Sequence, residues 1–182
     1  LLFFASVLAH ELAHSLVAKR AGLQVSAITL FIFGGVSQLT EEPKTAGNEL
    51  RMAIAGPATS LVIGGACWGL FFATRHTASP VAGMTFWLGY INVALAAFNM
   101  IPGFPLDGGR VLRSIVWWRS GDLRQATRIA SFIGRGIGYL FIFGGIALIF
   151  AGYWSNGLWL ALIGWILENA AVGSYRQMAL QD

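Results

Sequence analysis

Residues 8–18 read LAHELAHSLVA and set His10, Glu11 and His14 among residues that otherwise avoid water. On an α-helix, positions i and i+4 share a face, so His10 and His14 can offer two imidazole nitrogens to one metal ion. Glu11 is turned about 100° around the axis from His10, near such an ion but poorly aimed to ligate it. That position suits a general base acting on an attacking water. The bland alternative is a packed, hydrogen-bonded histidine pair. It is disfavoured because each buried charge costs roughly 2.5–3.5 kcal/mol on insertion scales, and this motif places three ionisable groups in one apolar run.

A catalytic zinc takes three protein ligands and leaves a position open. Two imidazoles suit zinc, and ligand type alone leaves iron and cobalt open. The third histidine of the chain, His76, falls at the opposite end of the apolar segments. Glu41, Glu42, Glu49, Asp122 and Asp182 read as loop or helix-end residues in water. Asp107 and Glu168 remain. Asp107 is preferred, because Pro105 before it and Gly108–Gly109 after it bend the backbone and can aim it. Glu168, in the last apolar run, reads more simply as a side chain reaching for the interface or a polar contact.

These residues need a frame, and the frame is apolar. The chain of 182 residues is 56% hydrophobic and 11% charged, against about 25% charged in soluble domains. Apolar runs at Leu1–Ala18, Met52–Ala73, Val81–Ile101, Phe132–Ala151 and Leu158–Val172 each approach the ~20 residues that cross a bilayer as helix. The expectation is an all-α polytopic membrane protein with five crossings, forming a single core domain over residues 1–182. If the crossings alternate, every Lys and Arg except Arg75 falls on the side where Lys19–Arg20 ends the first run. Positive residues stay in the cytoplasm, so that side is cytoplasmic. The same distribution argues against nucleic acid as the reason for a net charge of +4. His10 then lies about 13 Å inside the cytoplasmic boundary, at 1.5 Å rise per residue. One cysteine, Cys67, excludes an internal disulfide. The absence of an initial Met and the abrupt first run suggest a fragment that lacks its true N-terminus.

Between the runs, VSAITLFIFGGVSQL at 25–39 is rich in strand formers around Gly34–Gly35, and reads as a small β-hairpin at the cytoplasmic membrane face. Helices are expected from about Glu49 to Thr74 and from Val81 to Asn99. NMIPGFPLDGGRVL breaks regular helix, and broken backbone at membrane depth needs protein or a wet cavity around it. Residues 108–130 resume as an amphipathic, Arg-rich helix. Arg113, Arg119, Arg124 and Arg128 suit either anionic headgroups or a solvated face. Gly65–Gly69 and Gly134–Gly138 have the spacing that packs helices within a protein.

HELAH at 10–14, GPATS at 56–60 and NMIPGFPLDGGRVL at 99–112 together resemble the site-2 protease family of intramembrane zinc metalloproteases, peptidase family M50. The resemblance extends in order and spacing over nearly the whole chain. It implies His10, His14 and Asp107 as ligands of one zinc, Glu11 as catalytic base, and a polar role for Asn99 near the reacting carbonyl. It implies hydrolysis of peptide bonds in single-pass membrane proteins, such as membrane-anchored transcriptional regulators or anti-sigma factors. It further implies a helix before the HELAH helix, which this sequence lacks, and a regulatory domain, often a CBS pair, beginning where the sequence stops at Asp182. The strand-like segment Ile28–Leu39 could take an unwound substrate by strand addition. The partners expected are therefore a membrane-anchored substrate and the lipid bilayer, without nucleic acid, and an oligomer remains open. Two rivals stand beside this reading. A metal-ion or proton-coupled transporter needs polar groups at several depths, whereas here they cluster at one. A non-catalytic scaffold of the same fold has no need of Glu11.

Overall fold

The computed structural model describes residues 1–23, 25–31, 34–39, 43–76 and 80–179; for 25–31, 34–39 and 174–179 the backbone alone is considered. The chain divides into two compact units, Leu1–Met100 and Ile101–Asp182.

The first unit opens with α1 (Leu2–Arg20). Lys19 and Arg20 lie in its last turn, where cations complement the exposed carbonyls. Two antiparallel strands follow, β1 (Val25–Phe31) and β2 (Gly34–Leu39), paired from Val25 opposite Leu39 to Phe31 opposite Gly34, with an irregularity between Val25 and Ala27. Helix α2 (Ala46–Thr74) begins at Thr45, whose hydroxyl accepts the amide of Asn48 at 3.2 Å. It starts three residues earlier than expected because this cap satisfies an amide of the first turn. After α3 (Pro80–Asn99) the first unit ends.

Helix α2 packs on α3 through small residues. A Cβ on Gly64 would stand 2.9 Å from the Val93 side chain, and the Trp68 indole covers Gly89. The expectation for Gly65 and Gly69 is corrected here: a Cβ on either would meet nothing within 4 Å. A shift of one residue turns the helix by about 100°, so Gly64 rather than Gly65 is the contact position.

The second unit begins with the bent segment 101–106, which includes a cis Phe104–Pro105 peptide. The Phe104 amide donates to the Ala130 carbonyl at 3.4 Å, and the Leu106 amide to Gly103 at 3.0 Å. Helix α4 (Asp107–Ser120) stops at Gly121, whose φ of 71° lies in the left-handed region. Asp122 then caps α5 (Leu123–Phe150) by accepting the amides of Arg124 and Gln125 at 2.8 and 3.1 Å. The single helix expected over 108–130 is thus two helices, because a left-handed glycine and an N-cap lie side by side. Helix α6 (Trp154–Ala179) packs on α5 through Gly138 against Gly164 and Gly145 against Gly157. Gly134 rests on the backbone of Phe104.

Burial follows the pattern of helices in an apolar solvent. Ala53, Ala126, Ala130 and Ala171 are fully buried, while Val62, Phe132, Leu140 and Phe143 face outward. Small residues let backbones approach, and large ones can meet lipid. Among the described residues, three helices are long and apolar enough to cross a membrane: α2, α3 and α5. The five crossings expected from the apolar runs exceed this number. Helix α1 carries three ionisable residues and a basic end, and α6 includes Asn156, Glu168 and Asn169.

Candidate metal centre

Helix α1 buries Ser6, His10, His14 and Ala18, which recur every four residues and so form one stripe. In the first unit this stripe faces a second one on α2, made of Met52, Gly56 and Ser60. His10 and His14 are 2% and 5% exposed. His14 Nδ1 stands 2.7 Å from the Met52 carbonyl oxygen. A carbonyl oxygen only accepts, so this nitrogen carries a proton, and in the neutral ring Nε2 then carries the lone pair. His10 Nδ1 lies 2.9 Å from Ser60 Oγ. The two Nε2 atoms then face each other at 3.2 Å.

This geometry fits a metal ion. Two ligands of a tetrahedral zinc, each about 2.0–2.1 Å from the ion, stand about 3.3–3.4 Å apart. The two Nε2 atoms are close to that spacing. Gly56 completes the cradle: a Cβ there would collide with Nε2 of both His14 and His10. A side chain at position 56 would therefore fill the space in front of the lone pairs. Each imidazole is also oriented by a partner on its far nitrogen, as metal-ligating histidines usually are.

Glu11, 8% exposed, is buried on the same helix, one residue from His10. Asn99 is the last residue of α3 and half-buried. Asp107 belongs to the second unit, where it is half-buried and opens α4. Its backbone is held by a tight approach, since a Cβ on Gly109 would overlap the backbone of Gly103 and Phe104. This explains why glycine follows so soon after the aspartate.

Glu168 accepts a hydrogen bond from the Tyr139 hydroxyl at 3.3 Å and lies 3.6 Å from Arg135 Nε. It therefore has the polar contact expected of it. Arg113 departs from both readings offered for it: it is 8% exposed, and its guanidinium lies 5.2 Å from the Phe104 ring centroid. Glu49 is also corrected, because it is fully buried near the start of α2 rather than in water. Asp122 is exposed as the α5 cap and His76 is exposed beyond α2, both as expected. Glu41, Glu42 and Asp182 lie outside the described residues. The sequence reasoning assigned no role to Met52 or Ser60. Ser60 closes the quoted GPATS motif, and both lie four residues from Gly56, which points to a shared face without saying what that face meets.

The sequence model of peptidase family M50 matches residues 1–77 and 72–143. The chain is 46% identical over 184 residues to the "Putative zinc metalloprotease sll0528" of Synechocystis sp., covering all of this chain and 48% of that protein. It is 38% identical over 148 residues to the zinc metalloprotease MJ0392 of Methanocaldococcus jannaschii, covering 80% of this chain and 42% of that one. The chain thus spans about half the length of the curated relatives it matches. Among solved structures, the site-2 protease from Methanocaldococcus jannaschii superposes with a TM-score of 0.73 at 32% identity, over 96% of this chain and 76% of that one.

Proposed function

Since the chain belongs to peptidase family M50, we propose that it is the core of an intramembrane zinc endopeptidase cutting membrane-anchored proteins within or beside a transmembrane segment. The observation that carries this reading is the pair of imidazoles converging over Gly56, each oriented by a partner on α2. His10, His14 and Asp107 hold one zinc per chain. When bound, zinc supplies Lewis acidity toward the scissile carbonyl and acidifies a water to a pKa of about 7.

Glu11 takes the proton from the attacking water and delivers it to the leaving amine. Asn99, at the broken end of α3, donates to the reacting carbonyl oxygen. Burial of Glu11 and both histidines strengthens the electrostatic interactions that these three side chains make. The two units act as one catalytic core of five crossings, formed by α1, α2, α3, α5 and α6. The cytoplasmic side is the one bearing Lys19, Arg20 and the arginines of α4. The outer edge of the β1–β2 pair receives the locally unwound substrate by strand addition at that face.

Co-expression with candidate single-pass membrane regulators tests this reading. The parent should deplete the full-length regulator, whereas Glu11→Gln should keep zinc and leave the band intact. Equal depletion by both removes Glu11 from the mechanism.

A further inference from the structure

The two imidazoles are anchored differently. The partner of His14 is a carbonyl, which can only accept, so its tautomer has one answer. The partner of His10 is a fully buried hydroxyl, which can donate or accept. Without metal, Ser60 can donate to His10 Nδ1 while the His10 Nε2 proton points at His14 Nε2, 3.2 Å away. A metal between the two Nε2 atoms removes that arrangement. Both lone pairs must then face the ion, and the His10 proton must sit on Nδ1.

We propose that Ser60 is a positioning residue for the metal. Its hydroxyl accepts the Nδ1 proton of His10 in the zinc-loaded protein, and this holds Nε2 toward the ion. The proposal rests on the zinc reading above. A hydroxyl is suited to the task, because its oxygen carries lone pairs that can accept while its own hydrogen rotates away. Alanine at 60 would leave the His10 N–H without its 2.9 Å acceptor in a site closed to solvent. Loss of such an outer partner typically lowers metal affinity about 10–100-fold.

The test uses the full chain in lipid nanodiscs with ¹⁵N-labelled histidine, which gives only three side chains to assign. Zinc affinity is measured by chelator competition for the parent, Ser60→Ala and Ser60→Thr. Zinc-loaded parent should show His10 protonated at Nδ1 and coordinated through Nε2. Ser60→Ala should bind zinc about 10–100-fold more weakly, with the His14 resonances unmoved. Ser60→Thr, which keeps the hydroxyl, should recover most of the affinity. A parent that binds zinc alongside an equally tight Ser60→Ala overturns the proposal alone, as does His10 coordinating through Nδ1. A parent that takes up no zinc overturns the zinc reading and this proposal with it. If Ser60→Ala does not fold, the His10 resonances of the parent still decide the question.

Discussion

Gly56→Ala adds one methyl group at the point where the two imidazoles meet α2. His10 Nε2 lies 2.5 Å from the position that the new Cβ must take, and His14 Nε2 lies closer still. Ordinary contact begins near 3.4 Å, so the His10 ring must retreat by about 0.9 Å and the His14 ring by more. Retreat is opposed by the bonds at 2.9 and 2.7 Å that tie the far nitrogens to Ser60 and Met52. Overpacking of this kind costs about 1–3 kcal/mol of stability. The functional cost is larger, because a misplacement near 1 Å can cost about 100-fold in rate and metal ligands tolerate only about 0.2 Å. Gly56→Ala should therefore lose zinc to a chelator that leaves the parent loaded, and should cleave a membrane-anchored substrate at least about 100-fold more slowly. Gly65→Ala is the matched control, since a Cβ there meets nothing within 4 Å. It should keep zinc and activity and gain roughly 0.5–1 kcal/mol from the lower backbone entropy of its unfolded chain. A Gly56→Ala protein with parental zinc affinity and turnover would refute the cradle.

Other outcomes follow from the same geometry. Asp107→Ala should bring zinc content per chain, read by elemental analysis, well below that of the parent, while Glu168→Gln should leave it unchanged; the reverse result would make Glu168 the third ligand. Glu11→Gln should retain zinc and lower the single-turnover cleavage rate by about 100- to 10,000-fold, the usual range for removal of a general base. Gly145→Ala should destabilise the α5–α6 pair by about 1–3 kcal/mol, because its Cβ would sit 2.5 Å from the Gly157 carbonyl oxygen and 2.6 Å from the Ala161 amide nitrogen. Thermal unfolding in nanodiscs checks this, and an unchanged Tm would mean that the two helices are not packed at that point.

The sequence alone determined what local periodicity can determine. Two histidines four residues apart must share a helix face, and the spacing in HELAH therefore sets His10 and His14 side by side, as they stand in the structure. The Gly and Pro residues after Asn99 likewise marked where helix had to stop, because they act on their own backbone. Tertiary structure decided which face of α2 meets that pair. In a helix that is apolar all round, no polar stripe separates inside from outside, so Gly64 and Gly65 look alike in sequence although only Gly64 is a contact position. The same ambiguity hid Ser60 and the Met52 carbonyl as partners of His10 and His14, 50 and 38 residues away along the chain. It also hid the burial of Glu49 and of Arg113 over Phe104. Charge predicts contact with water only until a neighbouring element covers it, and which element does so depends on how helices are rotated against one another.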